Sequence, residues 1–162
     1  QYGISFKNTM RPVHPIIRKA EDSDLTAIRA CVRDAYRHYI ARIGKPPGPM
    51  CDDYAEVIRN HQVFIAERKD QLIGVLVLKR TPADLLLDNV AVLPEFQGQG
   101  FGGKLLEFAE SEALKQGFLQ LYLYTHECMV ENIEIYTHLG YRKTKRCTEM
   151  GYHRIYMRKV LA

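Results

Sequence analysis

Apolar residues change their period along this chain, and the changes divide it into elements. Leu25, Ile28, Val32, Tyr36 and Tyr39 recur at three-to-four spacing behind Ser23, a good helix N-cap type, so a first helix is expected there. It should stop near Gly44, because Lys45-Pro46-Pro47-Gly48-Pro49 cannot continue a helix; residues 44–49 are the expected mobile loop. Asp53 stands three before Glu56, with Tyr54, Val57 and Ile58 forming an apolar stripe. That predicts a short second helix ending before His61.

From Val63 the period falls toward two. Residues 63–67 and 72–78 are β-rich runs parted by Lys69, Asp70 and Gln71, which reads as a hairpin, and residues 15–20 make a shorter strand upstream. Residues 85–92 are apolar except for Asp88 and Asn89, as in a central strand covered on both faces. Phe101, Leu105, Phe108, Ala109 and Ala113 restore helical spacing until Gly117, and residues 119–125 return to strand. A short helix over 131–139 closes at Gly140, and residues 141–149 and 152–160 form a terminal hairpin turning at Gly151. The order β, α, α, β, β, β, α, β, α, β, β predicts an α/β domain with a mixed sheet and helices on both faces.

At 162 residues the chain has the size of one domain, residues 1–162. Residues 1–9 precede the first methionine, Met10, and read as a tag or an N-terminal extension with no role in the fold. No apolar run approaches the ~20 residues of a membrane span, so no membrane association is expected. The charge of +4 is scattered along the chain, with no basic stripe interleaved with aromatics that would indicate nucleic acid. Cys31, Cys51, Cys128 and Cys147 are far apart and the six histidines are dispersed. We expect a reducing, cytoplasmic setting and assign no metal.

The chemistry concentrates at Gln97-Gly-Gln-Gly-Phe-Gly-Gly-Lys104, a glycine turn between a strand and a helix. First-turn N–H groups there lack intrahelical partners and point toward the positive end of the helix dipole, which suits an anion. Three phosphate motifs overlap on it. Gly98, Gly100 and Gly103 fit Gly-x-Gly-x-x-Gly, but the turn follows the fourth strand rather than the first, and the next strand ends in Thr125 and His126 instead of an acid. Gly98, Gly103 and Lys104 fit most of a Walker A loop, but Leu105 stands where Ser or Thr must hold magnesium.

The third pattern is Gln97-x-x-Gly100-x-Gly102 preceded by Val90-Ala91-Val92-Leu93-Pro94-Glu95, and it resembles motif A of the GNAT N-acetyltransferase superfamily. Tyr136-Thr-His-Leu-Gly-Tyr141 is similar to the family's second conserved segment, and the likeness runs from about residue 15 to 160. The resemblance implies a mostly antiparallel mixed sheet splayed between its fourth and fifth strands. It implies acetyl-CoA as co-substrate, its pyrophosphate on the backbone of Gln97, Gly98, Gln99, Gly100, Phe101, Gly102, Gly103 and Lys104, and its pantetheine amides on Val90, Ala91 and Val92. A bulge near Asn89 would open the splay, and a backbone N–H freed by it would polarise the thioester carbonyl.

Tyr136 stands where the family keeps the acid that protonates the departing thiolate, with solution pKa values of ~10 for a tyrosine and ~8.5 for a thiol. Taken alone it is an ordinary amphipathic-helix aromatic. Met129 replaces an asparagine found in many members; Asn132 either contacts the co-substrate from a shifted position or caps and solvates its helix. Asp88 and Asn89 are candidates for the catalytic base or for hydrogen bonds to a neighbouring loop, with His126 and Glu127 behind them. Tyr36, Tyr39 and the 44–49 loop mark the acceptor side, and Asp52, Asp53 and Glu56 either draw a cationic amine or form a solvated face. The expected function is acetyl transfer to a primary amine of a small molecule or peptide, by direct attack in a ternary complex. A non-catalytic acyl-CoA sensor is the alternative, and a homodimer is an assembly common in the family.

Overall fold

A computed structural model describes residues 14–162, so residues 1–9, read above as a tag or extension, lie outside the described residues. Among the described residues, seven strands form one sheet: β1 (Ile16–Lys19), β2 (Gln62–Arg68), β3 (Gln71–Arg80), β4 (Leu85–Val92), β5 (Gln120–His126), β6 (Arg142–Glu149) and β7 (Tyr152–Val160). Their spatial order is β1-β2-β3-β4-β5-β7-β6, and every neighbouring pair is antiparallel except β4 and β5, which run parallel. Both predicted hairpins turn on left-handed residues, Lys69 and Asp70 in one and Met150 and Gly151 in the other, as two-residue hairpin turns require.

Helices cover both faces. α1 (Leu25–Tyr36) buries Ile28, Cys31, Val32, Ala35 and Tyr36, a stripe at helical spacing, against one face of β3 and β4. Two short helices, α2 (Ile40–Ile43) and α3 (Gly48–Cys51), and α4 (Tyr54–Asn60) complete that layer. α5 (Phe101–Lys115) packs Leu105, Leu106, Ala109 and Ala113 on the other face, and α6 (Val130–His138) follows β5. Asp53 caps α4 through its carboxylate, which accepts from the N–H groups of Ala55 and Glu56. Ser23 does not cap α1. It lies inside a 3-10 turn whose capping box joins Glu21 and Asp24, and Asp24 is drawn to Arg18 on β1 at 2.9 Å.

Residues 44–49 also differ from the mobile loop expected of them. Gly44, at φ 88°, ends α2 as foreseen, but Lys45 Nζ then donates to Gly151 O at 2.9 Å and the Tyr152 hydroxyl to Pro46 O at 2.6 Å. The Tyr54 hydroxyl donates to Pro49 O at 2.6 Å. The segment is thus fastened to the β6–β7 turn and to α4.

An extra residue in β4 sets the geometry beside β5. Val77 pairs with Asn89 but Leu78 pairs with Leu87, so Asp88 is a bulge, adjacent to the position anticipated for one. The bulge reverses the alternation: Leu85 and Leu87 face the α5 layer before it, and Val90 and Val92 do so after it. β5 pairs with β4 only at Leu86 and Leu87, so the two strands separate beyond the bulge.

Gly74 on β3 marks a close approach. A Cβ there would lie 2.9 Å from Leu105 Cδ1 and 3.2 Å from the backbone oxygen of Ala91, and Leu105 is fully buried. Gly74→Val should therefore lower stability by about 1–3 kcal/mol. A urea midpoint shifted downward at unchanged slope would show it; an unchanged midpoint would contradict this packing. No described helix is long and apolar enough to cross a membrane.

Candidate active site

The separation of β4 from β5 leaves backbone groups exposed in a defined pattern. Leu93 N–H bonds Ile73 O on β3, so strand alternation turns Asn89 and Ala91 toward β3 and turns the N–H and C=O of Val90 and Val92 toward the gap. Two side chains already reach those carbonyls: the Tyr36 hydroxyl lies 3.0 Å from Val90 O, sharing its one proton with Asn89 Oδ1, and Gln97 Nε2 donates to Val92 O at 2.9 Å. Each oxygen keeps a second lone pair. Of the three residues predicted to meet a pantetheine arm, Val90 and Val92 offer backbone groups, while Ala91 contributes its place in the cleft wall.

A cleft of about 570 Å³ runs from this edge to the glycine turn. Gly100 has φ 87° and caps α5 with no side-chain hydrogen bond, leaving first-turn N–H groups without side-chain partners. A Cβ built at Gly98, Gly100 or Gly103 would meet nothing within 4 Å, and one at Gly102 only Val92 Cγ2 at 3.9 Å. The turn is an open cradle lined by backbone donors, which fits a pyrophosphate. Phe101 points the other way, into the core, edge-on to Phe96. Gln99 donates to Glu95 O, and Lys104 lies 3.6 Å from Glu107.

A second pocket of about 40 Å³ lies beyond the gap, between β4, β5, β7 and the fastened 44–49 segment. Tyr36, Val90, Asn132 and Tyr136 line both cavities, so the two meet there. Tyr39, expected on the acceptor side, lines only the larger cleft, where Arg42 stacks 5.1 Å from its ring. Burial raises the Tyr136 phenol to about 12, with Tyr39 adding a smaller push. Asn132 Nδ2 lies 3.7 Å from Met129 Sδ, and Met129, where many family members carry asparagine, is buried against Thr125.

Asp88 and Asn89, adjacent in sequence, do different things. Asn89 is spent: Oδ1 accepts from the Tyr36 hydroxyl at 2.7 Å and Nδ2 donates to the Tyr54 hydroxyl at 3.1 Å, tying α1 and α4 to the bulge. Asp88 Oδ1 accepts from the Tyr124 hydroxyl at 2.8 Å and Oδ2 faces Lys79 Nζ at 3.3 Å. Burial and then the Asp88 charge push the Tyr124 phenol far up. Asp52 is likewise raised, by burial first and Asp88 second. His126, in the pocket wall, accepts the Cys128 N–H at Nδ1, and burial lowers its pKa. Glu127 faces outward to Arg146.

Tyr124, Tyr152 and Arg154 complete the second pocket and were missed from sequence. A signal existed. Tyr122, Tyr124 and His126 alternate along β5, and Tyr152, Arg154 and Tyr156 alternate along β7, so each set shares a sheet face. Only the pairing of Tyr124 with Tyr156 and of His126 with Arg154 brings them together.

A splayed mixed sheet with an anion cradle beside the splay defines the architecture of an acyl-CoA-dependent acyltransferase. The sequence matches the family described as acetyltransferase (GNAT) domain over residues 59–143. It is 27% identical over 143 residues to the uncharacterized N-acetyltransferase YjgM of Escherichia coli (strain K12), covering 83% of this chain and 86% of that protein. Among solved structures it resembles the PaiA N-acetyltransferase of Thermoplasma acidophilum in complex with coenzyme A (TM-score 0.76, 21% identity, 90% of this chain and 98% of that one). It also resembles the ribosomal-protein-S18-alanine N-acetyltransferase of Escherichia coli (TM-score 0.75, 21% identity, 91% and 94%). The chain belongs to the GNAT acetyltransferase family: it is an acyl-CoA-dependent N-acetyltransferase acting on an amine, with acetyl-CoA as co-substrate.

Proposed function

We propose that residues 14–162 act as one catalytic domain that moves the acetyl group of acetyl-CoA to a primary amine by direct attack, with both substrates bound together. The observation that carries this is the meeting of the two cavities at Tyr36, Val90, Asn132 and Tyr136, beside the bulge at Asp88. A thioester held along β4 and an amine held in the smaller pocket would face each other there.

Acetyl-CoA supplies the activated acyl group. The backbone of 97–104 would bind its pyrophosphate, the free edge groups of Val90 and Val92 its pantetheine amides, and Asn132 the wall at the junction. Asp88 would receive the acceptor as an ammonium ion and pass its proton to water, freeing the lone pair. Tyr136 would donate to the sulfur as the C–N bond forms and the C–S bond breaks. Two protons leave the nitrogen: one passes by way of Asp88 to solvent, and the other restores the proton that Tyr136 gives to the thiol. Asn89 acts as a positioning residue that holds Tyr36 and Tyr54, and an amide has no capacity to serve as the base.

Acetyl-CoA at about 100 times its Kd should stabilise the fold by about 2.7 kcal/mol, roughly 5–10 °C in Tm, whereas ATP-magnesium should not. Thiol release with a panel of amines then tests turnover. Stabilisation by ATP-magnesium alone, or no thiol release with any amine, would refute the proposal.

A further inference from the structure

The smaller pocket holds two opposite charges separated by one aromatic ring. On the β4 side is Asp88, whose side chain is 5% exposed and accepts the Tyr124 hydroxyl. On the β7 side is Arg154, its guanidinium 4.3 Å from the centroid of the same Tyr124 ring and its side chain 12% exposed. Glu149 holds the guanidinium from behind, accepting from Nη1 at 2.9 Å on an oxygen that also accepts the Tyr156 hydroxyl at 2.6 Å. Nη2 has no hydrogen-bond partner among the described residues and faces Gly48, where an added Cβ would come within 3.5 Å of it. The fork is therefore aimed, and one arm of it is available.

We propose that the acceptor is a compact α-amino acid, with its ammonium group against Asp88 and its carboxylate on Arg154. The inference rests on the assignment of this pocket to the acceptor. An arginine fork matches a carboxylate in shape and charge, and an arm oriented by a second carboxylate loses little freedom on binding. Size is compatible: about 40 Å³ admits roughly three water-sized groups, the scale of an amino-acid head. Charge discriminates. A polyamine would bring a second cation to Arg154, and a peptide N-terminus would offer its free Nη2 a neutral amide in place of a carboxylate.

Thiol release from acetyl-CoA should be measured with the standard α-amino acids and, for each one consumed, with its decarboxylated amine and its carboxamide. The amino acid should be favoured in kcat/KM by at least about 30-fold over both. Arg154→Gln should shrink that preference to within about threefold, and Arg154→Lys should retain part of it. Unchanged thermal stabilisation of Arg154→Gln by acetyl-CoA would show that the fold and the larger cleft survive; if the variant does not fold, the wild-type preference alone decides. Equal turnover of decarboxylated amines, or a preference that persists in Arg154→Gln, overturns this inference and leaves acetyl transfer standing. Absence of thiol release with every amine overturns both.

Discussion

Tyr136→Phe is expected to lower kcat on the order of 100-fold while leaving stabilisation by acetyl-CoA unchanged. The size follows from the phenol's environment. Burial, with Tyr39 second, lifts it to about 12, well above a free thiol, so early transfer of its proton to the departing sulfur is disfavoured. Tyr136 should therefore act through a charge-assisted hydrogen bond that strengthens as negative charge develops on sulfur, more than by delivering its proton early. The same elevation fixes the pH dependence. A raised phenol stays protonated through the working range, so kcat should show no alkaline descent from this group below about pH 10. A pH–rate profile for wild type and variant checks both statements. An unaltered kcat would remove Tyr136 from the reaction, and an alkaline limb near pH 10 that vanishes in the variant would contradict the buried environment.

What the sequence carried about this site depends on how local each feature is. The cradle is one continuous segment, so the glycines at 98, 100, 102 and 103 and the helix behind them specified it almost alone. Phe101 belongs to that segment too, but helical spacing with Leu105 puts it on the core face, a distinction the motif pattern does not draw. The bulge was legible at one remove, because two polar residues interrupt an apolar strand at Asp88 and Asn89; which of them would face a pocket depended on the reversal of alternation that the bulge itself causes. Ser23 was misleading because capping preference is a local propensity, and the pairing of Asp24 with Arg18 from β1 outweighs it. Least legible was the smaller pocket. Arg154 meets Asp88 only through β5, and β7 lies beside β5 although α6 and β6 intervene in the chain. Alternation marks the shared face on each strand, but only the register says that the faces adjoin.

Asp88→Asn should lower kcat/KM by roughly 10²–10⁴ near neutral pH, and the deficit should narrow as pH rises. Asparagine keeps an oxygen for the Tyr124 hydroxyl, now at 2.8 Å, so the ring that separates Asp88 from Arg154 stays in place. What is lost is the negative charge, and with it the ion pair to Lys79 at 3.3 Å. Because the Lys79 side chain is 28% exposed, water can take over its solvation, and the cost in stability should be modest beside the cost in rate. With no carboxylate to hold the ammonium ion and draw off its proton, the variant must wait for acceptor that arrives already neutral. That fraction rises tenfold per pH unit below the acceptor's own pKa, so the wild-type advantage should shrink along the same slope. Profiles of kcat/KM against pH for both proteins, with acetyl-CoA stabilisation measured in parallel, separate the possibilities. A deficit constant with pH would make Asp88 a structural anchor for Tyr124, whereas a converging pair of curves would identify the carboxylate through which the acceptor loses its proton.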